Sequence, residues 1–160
     1  MRFCLVDRII EIKAGQSIAA IKNLTSGEEY LADHFPGFPI MPGVMMVESL
    51  VQTGSWLMRY TENFAYSTVL LKEARAVKFS NFVKPGQTLR MECQVHKRDE
   101  HQYVLKCSGS VDGGPVVSAR LTLEQFNLSD HNPDLAETDR RAVERIRDHF
   151  DTIWLPLVQI

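Results

Sequence analysis

The chain has 160 residues, of which 44% are apolar and 24% charged, the composition of an average soluble domain that can fill a core. Its 18 basic and 20 acidic side chains give a net charge of −2, which excludes the cationic surface of a general nucleic-acid-binding protein. No apolar run reaches the roughly 18 residues of a membrane-spanning helix, and Asp7 interrupts the stretch that a secretion signal would keep apolar. We therefore expect a single-domain cytoplasmic protein without membrane insertion.

The first third of the chain predicts two strands, a rigid loop and a helix. Residues 2–12 and 16–24 are rich in β-branched and apolar types on either side of a turn, which is typical of a strand pair. Residues 33–43 hold three prolines, and because each fixes φ and extends the residue before it, this loop cannot be helical. A helix is predicted over Val44–Tyr60, with Pro42 near its first turn, where a missing N–H costs nothing.

The predicted helix carries one polar stripe on an otherwise apolar surface. The stripe follows the spacing i, i+4, i+7, i+11, which places its members on one face: Glu48, Gln52, Ser55 and Arg59. The other sides are apolar, so the helix is predicted to be buried all round. Burying a carboxylate costs several kcal/mol unless it is paired or protonated, which makes Glu48 a functional candidate.

The middle of the chain predicts strands that pair in sequence order. Together with the first two segments they predict an α+β fold in which an antiparallel sheet of about six strands wraps one long helix. The segments are rich in β-formers and are separated by turn signals: Ala65–Leu71, Ala74–Phe79, Thr88–Lys97, Gln102–Val111 and Pro115–Phe126.

The tail predicts a second, amphipathic helix. Asn132 and Pro133 form a capped helix start, and acidic residues follow at the positive end of the helix dipole. We expect this helix to end near Pro156 and to pack on the rest of the protein as an extension, residues 127–160, of a main domain at residues 1–126. Its apolar positions recur at helical spacing: Val143, Ile146, Phe150, Ile153 and Leu157.

The rigid loop and the start of the first helix together indicate chemistry on a carbonyl compound. His34 lies at the mouth of the loop and Glu48 lies 14 residues later on the helix. At Pro42-Gly43-Val44 the backbone N–H groups have no intrahelical partner, and Gly43 has no Cβ to block a ligand oxygen. A base, an acid and an oxyanion-stabilising helix end predict proton abstraction next to a carbonyl.

No metal or other cofactor is expected for this chemistry. The three cysteines are odd in number and widely separated, so they predict buried thiols in a reducing compartment: Cys4, Cys93 and Cys107. The other four histidines show no ligand spacing on one predicted element: His96, His101, His131 and His149.

The run from His34 to Gln52, HFPGFPIMPGVMMVESLVQ, closely resembles the signature of β-hydroxyacyl-acyl-carrier-protein dehydratases of the FabZ type, H-F-P-G-x-P-V-M-P-G-V-L-x-x-E-A-x-A-Q. The His-to-Glu separation is identical and the Gly and Pro positions match. Weaker agreement continues at residues 74–79, 85–86 and 111–113, so that the resemblance covers roughly residues 3–126. Ser49 and Val51 depart from the alanines of the signature, which affects the expected acyl tunnel.

The resemblance implies a hot-dog fold, with an antiparallel sheet around a central helix. It also implies homodimers, sometimes assembled as trimers of dimers, whose active sites combine residues of two subunits. His34 matches the catalytic histidine, Glu48 the catalytic acid and Gly43 the glycine that binds the thioester carbonyl. Gln52 matches a residue that supports the glutamate, and Val44 lies beside Gly43. FabA-type dehydratase/isomerases have Asp at the position of Glu48, so Glu48 favours dehydration without isomerisation.

The predicted function is dehydration of β-hydroxyacyl-acyl-carrier-protein thioesters to trans-2-enoyl thioesters, in the synthesis of fatty acids or related lipids and polyketides. A hot-dog acyl thioesterase and an enoyl-thioester hydratase are alternative enzymes, and a non-catalytic acyl-thioester-binding module is an alternative from another class. The carrier protein is acidic, so a local basic cluster is expected to bind it despite the net negative charge of the chain. The candidates lie in or beside the strands after the helix: Lys72, Arg75, Lys78 and Lys84.

Overall fold

The computed structural model describes residues 3–35 and 37–155. Over these residues it contains six strands, two α-helices and three short 3₁₀ helices. The strands are β1 (Arg8–Lys13), β2 (Ser17–Asn23), β3 (Thr68–Phe79), β4 (Thr88–Arg98), β5 (Gln102–Val111) and β6 (Gly114–Phe126). The α-helices are α1 (Gly43–Thr61) and α2 (Ala136–Ile153), and the 3₁₀ helices are Glu29–Leu31, Leu128–Asp130 and Pro133–Leu135.

All six strands form one antiparallel sheet in the order β1-β2-β4-β5-β6-β3. The expectation of pairing in sequence order is therefore wrong for β3, which pairs with β6 at the far edge while β2 pairs with β4. β3 does not pair with β2 because α1, which has 19 residues, lies between these two strands in the chain and carries β3 to the far edge of the sheet. At 1.5 Å per residue, such a helix is about 28 Å long and crosses several strand spacings of about 4.8 Å.

Helix α1 packs on the inner face of the sheet, as the hot-dog fold requires, and this confirms the predicted α+β class. Leu50, Leu57 and Met58 are fully buried in the core that α1 shares with the sheet. The closest approach is at Gly54, where a Cβ would lie 2.5 Å from a methyl carbon of Leu105 on β5. Only glycine lets the helix axis come this near to the sheet.

Strand β3 replaces the two strands predicted at 65–71 and 74–79. It is continuous, with register irregularities between Leu71 and Glu73 and between Arg75 and Lys78. Such bulges insert extra residues into one strand without ending it, so the charged residues that interrupt the apolar pattern are accommodated within the strand.

Helix α2 packs over the carboxyl-terminal half of α1 through an aromatic cluster. The buried ring of Phe150 lies 5.8 Å from Trp56, 5.6 Å from Tyr60 and 5.2 Å from Phe64, measured between ring centroids. Asn132 caps the 3₁₀ helix Pro133–Leu135, so the α-helix itself begins at Ala136, four residues after the predicted cap. The predicted positions Pro156 and Leu157 lie outside the described residues.

The three cysteines differ in their exposure to solvent. Cys93 and Cys107 are buried and face each other across β4 and β5, and burial raises the pKa of the Cys93 thiol. Cys4 is exposed, so the prediction that all three are buried is wrong for Cys4. It precedes β1, which begins at Arg8 rather than at residue 2. Within the described ranges, no helix combines the length and apolar character needed to span a membrane.

Candidate active site

Glu48 is held in place by Gln52, one turn further along α1. The side-chain amide of Gln52 donates to the Glu48 carboxylate at 3.0 Å and to the backbone carbonyl of Phe3 at 3.1 Å. Its oxygen accepts a hydrogen bond from the Leu5 N–H at 2.9 Å. Gln52 therefore connects the amino-terminal segment to the helix and fixes one oxygen of Glu48, the supporting position that the sequence predicts for it.

The polar stripe of α1 opens into a cavity of about 380 Å³. All four of its members line the cavity, so the helical spacing read from the sequence is confirmed as one face. Glu48 and Gln52 are half-buried and Ser55 is buried. The rest of the lining comes from the amino-terminal segment, α1, β3 and α2: Phe3, Cys4, Val6, Val51, Trp56, Val69 and His149.

His34 lies in the loop before α1 and is half-buried. Its ring packs on the neighbouring Phe35, with centroids 4.4 Å apart, and Phe35 has the unusual backbone angle φ of 52°. Among the described residues that line the Glu48 cavity, His34 does not occur. Within a single chain, the two predicted catalytic side chains, His34 and Glu48, therefore do not line the same cavity.

Gly43 is the first residue of α1, as the predicted oxyanion position requires. The first helical hydrogen bonds run from the N–H groups of Met45 and Met46 to the carbonyl of Pro42. The N–H groups of Gly43 and Val44 precede them and point out of the helix start. Val44 is 73% exposed. A Cβ on Gly43 would lie 3.0 Å from the ring of Phe79, at the end of β3.

The four basic residues considered for carrier-protein docking are all exposed and lie on or after β3, away from the lining of the Glu48 cavity. Lys72 pairs with Glu124 at 3.5 Å and Arg75 with Glu73 at 2.8 Å. The Lys84 ammonium lies 5.4 Å from the ring centroid of Phe38, and Lys78 is a further exposed cation of β3.

Two features of the cavity were not predicted from the sequence. His149 reaches it from α2, 5.5 Å from the ring of Trp56, although the sequence suggested only a scattered histidine. Arg59 belongs to the predicted polar stripe, but the sequence assigns no function to it. Helical spacing would identify Arg59 as a lining residue, whereas no local pattern reveals that α2 folds back onto α1. Over the described part of the chain, no group of three or more His, Cys, Asp or Glu side chains is arranged to hold a metal ion.

Comparison with known proteins agrees with the signature. A family model described as a FabA-like domain matches residues 1–120. The chain belongs to the FabA-like family. It is 37% identical over 117 residues to the 3-hydroxyacyl-[acyl-carrier-protein] dehydratase FabZ of Lactobacillus helveticus, covering 73% of this chain and 79% of the relative. The FabZ of Thermomicrobium roseum is 38% identical over 141 residues, covering 86% of this chain and 89% of the relative.

The fold of this FabZ-like chain also has counterparts among solved structures. The dehydratase heterocomplex ApeI:P from Xenorhabdus doucetiae contains a chain that superposes with a TM-score of 0.68 at 18% identity, over 83% of this chain and 90% of that one. At this identity the likeness shows the hot-dog fold alone. The family match ends at residue 120, so α2 lies beyond it.

Proposed function

We propose that the protein is a β-hydroxyacyl-acyl-carrier-protein dehydratase that removes water from its substrate to give the trans-2-enoyl thioester. The observation that carries this function is the Glu48 carboxylate, oriented by Gln52 at 3.0 Å inside a cavity on the helix that begins at Gly43. One helix thereby supplies both an acid that can act on a β-hydroxyl group and N–H groups for a thioester carbonyl. The assignment agrees with the FabZ relatives.

In the proposed reaction, His34 accepts the proton from the carbon next to the thioester carbonyl. The electron pair of that C–H bond becomes the new C=C bond as the C–O bond of the β-hydroxyl group breaks. Glu48 donates a proton to the departing hydroxyl group, which leaves as water. The proton that His34 has accepted then passes to Glu48, so that the acid and the base return to their starting states. The Gly43 N–H stabilises the charge on the thioester oxygen, a contribution worth about 2.7–4 kcal/mol for such donors.

We further propose that the working unit is at least a homodimer in which His34 of one copy serves Glu48 of the other. Two observations support this. His34 is not among the described residues that line the Glu48 cavity. Strand β3 lies at an open edge of the sheet and exposes four large apolar side chains, a combination suited to pairing with a second copy: Leu70, Leu71, Val77 and Phe79.

Mixing two inactive variants tests the shared site. His34→Ala and Glu48→Gln are each expected to be inactive alone. In a mixed dimer, one site would carry both substitutions and the other would be intact. Equal mixing makes about half of the dimers mixed, so roughly a quarter of the wild-type activity should return. Differently tagged copies verify that mixed dimers form. If mixed dimers form but show no activity, the shared site is wrong. The dehydratase assignment is tested separately, by the direct assay described next.

The direct assay follows enoyl absorbance and free thiol release together on a β-hydroxyacyl carrier-protein thioester. A dehydratase produces absorbance without thiol, a thioesterase produces thiol, and a binding module produces neither. An enoyl hydratase is distinguished by a preference for the coenzyme A thioester over the carrier-protein thioester. The proposed location is the cytoplasm, where thiols such as Cys93 and Cys107 stay reduced.

A further inference from the structure

Arg59 stands at the opposite end of the polar stripe from Glu48 and lines the same cavity. Its Nε is buried, and among the described residues it has no hydrogen-bond acceptor. Burial lowers the pKa of Arg59 to about 10, so the side chain is still a cation at neutral pH. A buried guanidinium normally has an acidic or carbonyl partner, because removing its charge from water is costly.

The acids nearest in sequence to Arg59 are engaged elsewhere. Glu62 accepts hydrogen bonds from the Tyr103 hydroxyl and from Arg98, at 2.5 and 3.3 Å. Glu48 accepts from Gln52. Arg59 stacks on Trp56, whose ring centroid lies 5.3 Å from the guanidinium carbon. Stacking uses the face of the guanidinium and leaves the N–H donors at its edge available for an anion.

The wall between the two charged ends suits a hydrocarbon chain. Val51, Val69 and the ring of Trp56 contribute apolar surface between Glu48 and Arg59. The eleven-residue separation corresponds to about 16 Å along the helix axis, the length of an extended chain of roughly thirteen carbon–carbon bonds, each of which advances the chain by about 1.25 Å. A cavity of about 380 Å³ is within the size range of small-molecule sites.

We infer that this cavity accepts acyl thioesters whose far end carries a carboxylate, and that Arg59 binds that carboxylate while Glu48 acts at the β-carbon. The inference rests on the proposed dehydratase function and adds the substrate class. A chain that ends in a methyl group would leave the buried Nε–H of Arg59 without an acceptor, whereas a carboxylate can accept from this N–H and from a neighbouring N–H of the guanidinium at once.

The test uses β-hydroxyacyl pantetheine thioesters of matched length with three different ends: a free carboxylate, its methyl ester and a plain methyl group. The wild-type protein is expected to show a kcat/KM about 10- to 100-fold higher for the carboxylate than for the ester, the range for one hydrogen-bonded charge. Arg59→Met, which keeps an unbranched apolar stem and removes the guanidinium charge, should bring this ratio close to one. Arg59→Lys should retain part of it.

Arg147→Met is the matched control. Arg147 also stacks on an aromatic ring, 4.8 Å from the centroid of Phe64, but it donates to the Asn63 carbonyl and does not line the cavity. Its substitution should leave the carboxylate-to-ester ratio unchanged. Equal loss on both substrates in Arg59→Met, with the ratio preserved, would assign Arg59 to folding or assembly and overturn the inference.

The two proposals fail in different ways. If a short β-hydroxyacyl thioester is dehydrated but the wild type does not prefer the carboxylate, the substrate inference is wrong and the dehydratase function stands. If no β-hydroxyacyl thioester is dehydrated, the proposed function itself is wrong. Binding of the saturated carboxylate-ended thioester, measured by calorimetry, then decides whether Arg59 still recognises the anion.

Discussion

The side-chain nitrogen of Gln52 lies 3.0 Å from a carboxylate oxygen of Glu48, while the oxygen of the same amide accepts the Leu5 N–H at 2.9 Å. One amide thus links Leu5 in the amino-terminal segment to Glu48 on α1 by hydrogen bonds, although Leu5 and Gln52 are 47 residues apart. Glu48 is oriented from the helix surface and from the segment that precedes β1.

This arrangement makes Gln52 a positioning residue. Gln52→Met keeps the volume and removes all three side-chain hydrogen bonds, including the one to Glu48. We expect kcat to fall about 10- to 100-fold while KM stays within about twofold, since hydrogen bonds to charged groups contribute about 1.5–3 kcal/mol. Thr53→Val is the control, because Thr53 lies next to Gln52 on α1 but donates to the Ser49 carbonyl and does not line the Glu48 cavity. A large rise in KM with unchanged kcat would instead assign Gln52 to substrate binding.

The roles proposed for His34 and Glu48 predict effects that do not add. His34→Ala and Glu48→Gln should each remove most turnover, and the double variant should be no worse than the more damaged single variant, because both side chains act on one transition state. Steady-state rates on one substrate measure this. Multiplicative losses would show that the two residues contribute independently.

Gly43 is expected to serve both packing and catalysis. In Gly43→Ala the new Cβ would be 3.0 Å from the Phe79 ring, which is 51% exposed and can shift, so the destabilisation should be only about 1 kcal/mol. Adding Phe79→Ala should relieve the contact without restoring kcat, measured against a Phe79→Ala single variant that carries any effect of this substitution on the proposed dimer edge. Full recovery of kcat in the double variant would show that Gly43 is needed for packing alone.

Asp139 predicts an acid-sensitive attachment of α2. Burial would raise its pKa, but the Ser67 hydroxyl and the N–H groups of Ser129 and Leu128 outweigh this and lower the pKa from 3.8 to about 2. Because the folded-state pKa lies below the unfolded value, Asp139 stabilises the fold above about pH 4 and loses that contribution as the pH falls towards 2.

Asp139→Asn should therefore lower the free energy of unfolding by on the order of 1–3 kcal/mol at pH 7. The difference from wild type should shrink as the pH falls from about 4 to 2. Urea titrations at several pH values measure it. A difference that is constant across that range would mean that the charge of Asp139 is not what stabilises the site.

The basic residues of β3 predict a salt-dependent encounter with the acidic carrier protein. Reversing Arg75 and Lys78 to Glu should raise KM for the carrier-protein substrate several-fold and leave a short uncharged thioester almost unaffected. Arg8→Glu with Lys13→Glu, on β1 at the other edge of the sheet, is the charge-matched control. Equal damage to both substrates would assign the β3 residues to the fold.

Local patterns predicted the helix, the stripe and most strand ends, because periodicity and turn residues report on neighbours in sequence. β5 coincides with its prediction and α1 differs from its prediction by one residue at each end. The place of β3 in the strand order was not predictable in this way, since its pairing depends on where the chain re-enters the sheet after α1. Nor could the sequence show that residues 3–6 hydrogen-bond to Gln52 and line the cavity rather than extend β1.

The chain has two tryptophans, and Trp56 is in the wall of the Glu48 cavity, with its ring buried between the Arg59 guanidinium and the His149 ring. An indole in this position senses a change in the polarity of its surroundings whenever the cavity fills or empties. In a Trp154→Phe variant, all tryptophan fluorescence would come from Trp56 in the cavity wall. The protein therefore contains its own optical reporter, through which ligand binding can be followed in real time without any attached dye.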